Sequence, residues 1–108
     1  MASPILVKLP GRSQLCHYTK NMFEEYLNKL VVVDLSSTFV VLGKLSRYDD
    51  HFLELKNADL HDLRDTETTR ETYIVDTVNT GVKRNRKSVL IRRGEMVAIS
   101  LLDDVVDE

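Results

Sequence analysis

A chain of 108 residues is the size of one domain, and 43% hydrophobic residues are enough for one core. Fifteen basic against 17 acidic residues leave a net charge of −2, which argues against a chain that is basic throughout but leaves room for a local basic patch. A single cysteine excludes an internal disulfide framework, and no apolar run approaches the ~20 residues of a membrane span.

Residues 1 to 17 hold both prolines, Pro4 and Pro10, with Gly11, and read as an arm without firm structure. The short apolar patch before Lys8 is a poor signal peptide, so a cytoplasmic location is expected. Cys16-His17 has no second pair at ligand spacing, so no metal or other cofactor is expected. From about Thr19 to Lys29 the spacing of Met22, Phe23, Tyr26, Leu27 and Leu30 predicts an amphipathic helix. Asn21 with Glu24 resembles a capping box, and Thr19 is a rival cap.

Three strands follow. Leu30 to Leu35 places Val31, Val33 and Leu35 on one face. Ser36-Ser37-Thr38 is a turn. Phe39 to Tyr48 places Phe39, Val41 and Leu45 together, with Gly43 marking a bulge or bend. After a turn at Asp49-Asp50, His51 to Leu55 places Leu53 and Leu55 on one face. Short connections make this an antiparallel meander.

Asp49 to Asp76 holds nine acids against Lys56, Arg64 and Arg70. Asn57 to Glu71 reads as a long exposed loop with a helical turn near Leu60 to Arg64, and its acids from Asp59 to Glu71 could dock a protein partner. Thr72 to Val78 reads as a strand, with a turn at Asn79-Thr80-Gly81, where glycine can supply a positive φ. Val82 to Arg93 carries Lys83, Arg84, Arg86, Lys87, Arg92 and Arg93 and no acid, so Lys83, Arg84, Arg86 and Lys87 are candidate phosphate contacts. Strands are expected at Ser88 to Ile91 and, after a turn at Arg93-Gly94, at Glu95 to Leu101. Residues 103–108 form an acidic tail expected to fray. One helix, a meander, a long excursion and further strands predict a mainly β domain over 18–102: a small, strongly bent sheet closing as a barrel.

Two stretches in this order resemble the Sm and Sm-like (LSm) family. Val31-Val32-Val33-Asp34-Leu35, Gly43-Lys44-Leu45 and Asp49 match the first Sm motif in spacing, and Arg93-Gly94-Glu95-Met96-Val97 with Ala98-Ile99 matches the second. The resemblance implies a five-stranded SH3-like barrel with an N-terminal α-helix, and rings of six or seven copies joined through edge strands. It also implies binding of single-stranded, often uridine-rich RNA near the pore. It gives Asp49 the turn, His51 the stacking position, Arg93 the second-motif arginine and Gly94 the turn glycine. The chain departs from the motif Asp-x-x-Met-Asn: Phe52 stands for Met, and Leu53 either stands for Asn or follows a deletion of it. Leucine has no donor or acceptor to read a uracil edge, so RNA binding by stacking and phosphate contact is implied, without the group that gives uridine selectivity. The alternative is a ring-forming protein scaffold that does not bind RNA. The excursion from Ala58 to Ser88 exceeds that of compact family members. Asp49, Asp50, His51 and Glu54 lack an accompanying nucleophile–base pair or phosphate loop, so no enzyme is expected.

Overall fold

The computed structural model describes residues 21–65 and 67–106. The arm, Cys16-His17 and Thr19 lie outside them. Five strands form one antiparallel sheet: β1 (Leu30–Leu35), β2 (Phe39–Tyr48), β3 (Phe52–Asp62), β4 (Arg86–Arg92) and β5 (Met96–Leu101), in the order β4-β3-β2-β1-β5.

The sheet curls because both of its edges contribute to one core. Val31, Val33, Val41, Leu45, Leu53, Leu55, Ala58 and Ile91 form a buried cluster, against which Met96, Ile99 and Leu101 of the far edge also pack. Ile91 and Ile99 share that core only if β4 and β5 wrap toward each other. Bending needs local breaks in the ladder, and the register shifts between Leu42 and Lys44 and between Leu45 and Arg47. On β3 the break is Asn57, whose φ of 51° turns the strand so that Ala58 and Leu60 continue the inward face begun by Leu53 and Leu55. Gly43 lies at a close approach of β2 to β3: a Cβ there would stand 3.0 Å from the Cα of Ala58.

A helix precedes β1, shorter than its spacing suggested: five residues of 3-10 helix, Met22–Tyr26, capped by the Asn21 side chain accepting from the Phe23 amide. Asn28, at φ 63°, ends it, and its amide donates to the Leu45 carbonyl at 2.7 Å, which turns the chain into β1. Phe23, Tyr26 and Leu27 pack against the barrel core, whereas Met22 is 77% exposed and Leu30 lies outside on the strand.

The excursion differs most from expectation. β3 runs on to Asp62 instead of loosening after Leu55, followed by a 3-10 turn, Leu63–Asp65. Where a strand was expected at Thr72 to Val78, the chain forms an α-helix, α1 (Arg70–Thr80). Thr69 caps it by accepting from the Thr72 amide at 3.1 Å, and Gly81 ends it at φ 88°, so the positive φ is present but closes a helix rather than a hairpin. The β-branched run is held helical by burial: Ile74 and Thr77, one turn apart, are buried, and Ile74 packs with Val32, Val40, Leu42 and Leu102 in a second cluster on the outer face of the sheet. Burying one Ile side chain contributes roughly 1.5–3 kcal/mol, more than the few tenths by which helix propensity disfavours it. The acidic tail is also anchored at its start: Leu102 is buried and Val105 packs beside it.

A polar network fixes α1 at its far side. Tyr73 donates its hydroxyl proton to the buried Asp59 carboxylate, and its ring stacks on His61 with centroids 4.0 Å apart. Asn85 Nδ2 donates to Asp59 Oδ1 at 3.2 Å, and the Asn85 amide group pairs with both the N–H and C=O of Leu60. Arg70 meets Asp34 of β1 at 3.0 Å. Asp59 and Asp62 therefore belong to the fold, the latter bound by Arg64 and Thr38. The expected acidic loop is not one continuous exposed acidic surface. Among the described residues no helix is long and apolar enough to cross a membrane.

Candidate nucleic-acid interface

The connection between β2 and β3 is built on Asp49. Its Oδ1 accepts from the amides of His51 at 2.7 Å and Phe52 at 2.8 Å, while its own amide donates to the Phe52 carbonyl. A short carboxylate that gathers two backbone N–H groups closes a tight turn by itself. The His51 and Phe52 amides, in that order, are the main reason the Asp49 carboxyl is held below its usual range, and the nearby Arg93 charge adds to the effect.

The second segment arrives from the other edge. Between β4 and β5 the chain makes a 3-10 turn, Arg93–Glu95. The Arg93 amide donates to the His51 carbonyl at 2.8 Å, and Arg93 Nη1 donates to the Asp49 carbonyl at 2.6 Å. The guanidinium lies 4.5 Å from the centre of the Phe23 ring, which in turn meets Tyr48 at 5.4 Å. Glu95 ties the same turn to the β1–β2 connection: its carbonyl accepts from the Ser36 amide and its carboxylate from the Ser36 hydroxyl. The structure thus brings Asp49, His51 and Arg93 together at one end of the barrel, 44 residues apart in sequence at the Asp49–Arg93 bond.

His51 is exposed, and among the described residues its imidazole makes no hydrogen bond, so the ring is free to stack. Arg93 is half-buried, pinned through one nitrogen, and offers its remaining N–H groups. Gly94 is exposed, and a Cβ there would meet nothing within 4 Å. Within one subunit, then, nothing requires glycine at that position.

Lys83, Arg84, Arg86 and Lys87 are exposed but are not part of this end. Arg86 pairs with Ala58 and Arg92 with Phe52, so the two ends of β4 are six residues, or about 20 Å, apart. Arg84 donates to Asn57 Oδ1 at 2.6 Å, and Arg86 donates to the Asn85 carbonyl.

Leu53 is fully buried in the barrel core, opposite Tyr48 and Ile91. It therefore cannot occupy an outward, ligand-reading position, and the alignment in which the motif Asn is deleted fits the backbone. Two aromatic rings border the site: Phe23, read from the sequence as part of the helix stripe, and Phe52, read as standing for the motif Met. With Leu53 and Leu55 facing in, Phe52 must face out, and it is 39% exposed.

This bent five-stranded barrel, with its β2–β3 and β4–β5 turns tied together at one end, defines a class of small β-barrel domain. No family profile and no curated protein matches the sequence. Among solved structures the chain is similar to a Pyrococcus abyssii Sm protein in complex with a uridine heptamer, with 24% identity, a TM-score of 0.51, and 73% of this chain and 90% of that chain covered. It is also similar to an Sm-like protein from Archaeoglobus fulgidus, with 20% identity, a TM-score of 0.50, and 74% and 88% covered. A heptameric archaeal Sm protein matches at 21% identity and a TM-score of 0.50, with 73% and 93% covered. The fold of this chain is the Sm fold, as the two sequence motifs implied.

Proposed function

We propose that this chain is an Sm-like, ring-forming subunit that binds single-stranded RNA, and that it acts by binding rather than by catalysis. The observation that carries the reading is the Asp49–Arg93 junction, which holds an unengaged His51 ring beside a fixed guanidinium. A base would stack on His51, and Arg93 would donate to it or to its phosphate. The solved neighbour with a uridine heptamer supports RNA as the ligand class.

Assembly follows from the sheet edges. Among the described residues β4 and β5 each have one unpaired side, and Val97 on β5 is 68% exposed. Head-to-tail pairing of β4 with the β5 of a second copy would satisfy both edges and closes a ring when the rotation fits. The heptameric neighbour supports a ring of about that size. Uridine selectivity is not expected of it, because Leu53 is committed to the core and Phe52 carries no amide, so a uridine preference would require another group in place of the motif Asn.

The test is fluorescence anisotropy with oligo-U and oligo-A at low and physiological salt, with native mass recorded on the same sample. Saturable, comparable binding of both RNAs by an oligomer, lost in His51→Ala, is the expected result. A stable ring that binds neither RNA would instead support the protein-scaffold reading.

A further inference from the structure

The outer face of the sheet is divided. One half is covered by α1 and the turn after β5, over Val32, Val40, Leu42, Asp59 and His61. The other half is bare among the described residues, and its cross-strand rows can be read from the register. Leu30, Lys44, Lys56 and Ser88 lie side by side across β1, β2, β3 and β4, and all four are exposed. The next row is Arg47, Glu54 and Leu90, and the last is Phe52 and Arg92.

The first row is electrostatically unusual. Lys44 and Lys56 are directly paired, and like charges placed opposite each other destabilise a sheet. The ion pairs among the described residues are Arg47–Glu54, Arg64–Asp62 and Arg70–Asp34, so neither lysine meets a carboxylate. Glu54, the acid in these rows, is neutralised by Arg47 at 2.9 Å. The bare half-face therefore carries uncompensated charge from Lys44, Lys56 and Arg92.

A hollow of mixed lining completes it. Arg47, Tyr48, Asp49, Phe52, Glu54 and Leu90 line a shallow cavity of about 310 Å³, with the exposed Phe52 and Leu90 as its apolar walls. It adjoins the Asp49 turn. From Phe52 to Lys56 is four residues along β3, roughly 13 Å.

We infer that this bare half-face is a second binding surface for single-stranded RNA, continuing the strand outward from the His51–Arg93 end. A base lodges against Phe52 and Leu90, and the phosphates that follow lie over Lys56 and Lys44, the excess charge of which they neutralise. A polyanion fits this surface better than a protein, since two opposed lysines that meet no carboxylate favour repeated negative charge. The ligand class rests on the function proposed above; the surface does not.

The experiment compares 5-nucleotide and 20-nucleotide oligo-U, 5′-labelled, by anisotropy across 50–200 mM salt, on the assembled protein. Lys44→Gln/Lys56→Gln should weaken the 20-mer on the order of tenfold at 100 mM salt and reduce its log–log salt slope by roughly 1.4. The 5-mer should be nearly unaffected, and Lys44→Arg/Lys56→Arg should restore the 20-mer. Phe52→Leu should weaken the 20-mer at unchanged slope. Unchanged 20-mer affinity and slope in the glutamine pair overturns the inference, even if His51→Ala abolishes binding. Loss of 20-mer binding in the glutamine pair with His51→Ala silent keeps this surface and removes the turn site. Lysine-dependent binding of polyglutamate without RNA binding would make the surface a protein-docking face and overturn it.

Discussion

Replacing Gly43 by alanine tests a close approach in the barrel. An added Cβ would stand 3.0 Å from both the Cα and Cβ of Ala58 and 3.1 Å from the Lys56 carbonyl oxygen. Optimal carbon–carbon contact is about 3.5–4.0 Å, so β2 and β3 must separate by several tenths of an ångström. Two of the three contacted atoms are backbone and cannot rotate away. Overpacking of this kind costs about 1–3 kcal/mol. Gly43 is not among the positive-φ residues, so alanine also gains about 0.4–1 kcal/mol through the unfolded chain. The expected net loss is roughly 1–2 kcal/mol, or a fall in Tm of about 5–15 °C for a domain of this size. Urea and thermal unfolding at fixed protein concentration measure it, with the urea m-value unchanged. Adding Ala58→Gly removes one of the three contacts, so the pair should couple by at least about 0.5 kcal/mol in the direction of relief. A Gly43→Ala protein as stable as the parent, or a pair whose effects simply add, would refute the close-approach argument.

Leu53→Asn should lower stability by about 3–5 kcal/mol in urea melts without creating a uridine preference, because it buries an amide in an apolar core. Tyr73→Phe should cost about 1–3 kcal/mol, since Asp59 then keeps only Asn85. In the parent, desolvation and then the bond to Asp59 push the Tyr73 hydroxyl well above the usual tyrosine range. The folded chain keeps a proton that the unfolded chain loses above about pH 10, so this contribution to stability should fall as pH rises beyond about 10. Absorbance titration should show one tyrosine ionising late, and that late step should vanish in Tyr73→Phe. Asp49 runs the opposite way: its folded pKa is depressed by the His51 and Phe52 amides. Its contribution should be complete above about pH 4 and be lost as pH falls through the folded value; Asp49→Ala melts should lack that acid dependence.

The sequence by itself determined the strands whose alternation is clean and whose connections are short. β1, β2, the start of β3, and the last two strands all lie within a few residues of where their periodicity puts them, because a period of two with one buried face admits one pairing register. The resemblance of its two motifs to the Sm family also marked Asp49, His51 and Arg93, which the structure brings to one end of the barrel. Three things were decided by tertiary structure. The run Thr72 to Val78 has strand-like residues, yet it is α1, because the outer sheet face at Val32, Val40 and Leu42 takes Ile74 and Thr77 at helical spacing. Alternation puts Leu53 with Leu55 on one face, and the register across Tyr48 and Ile91 makes that face the core, against the alignment that puts Leu53 at the motif Asn. The opposed Lys44 and Lys56 are twelve residues apart and unremarkable in the chain; they form one charged row only because the bulges in β2 and β3 set which residues stand opposite each other.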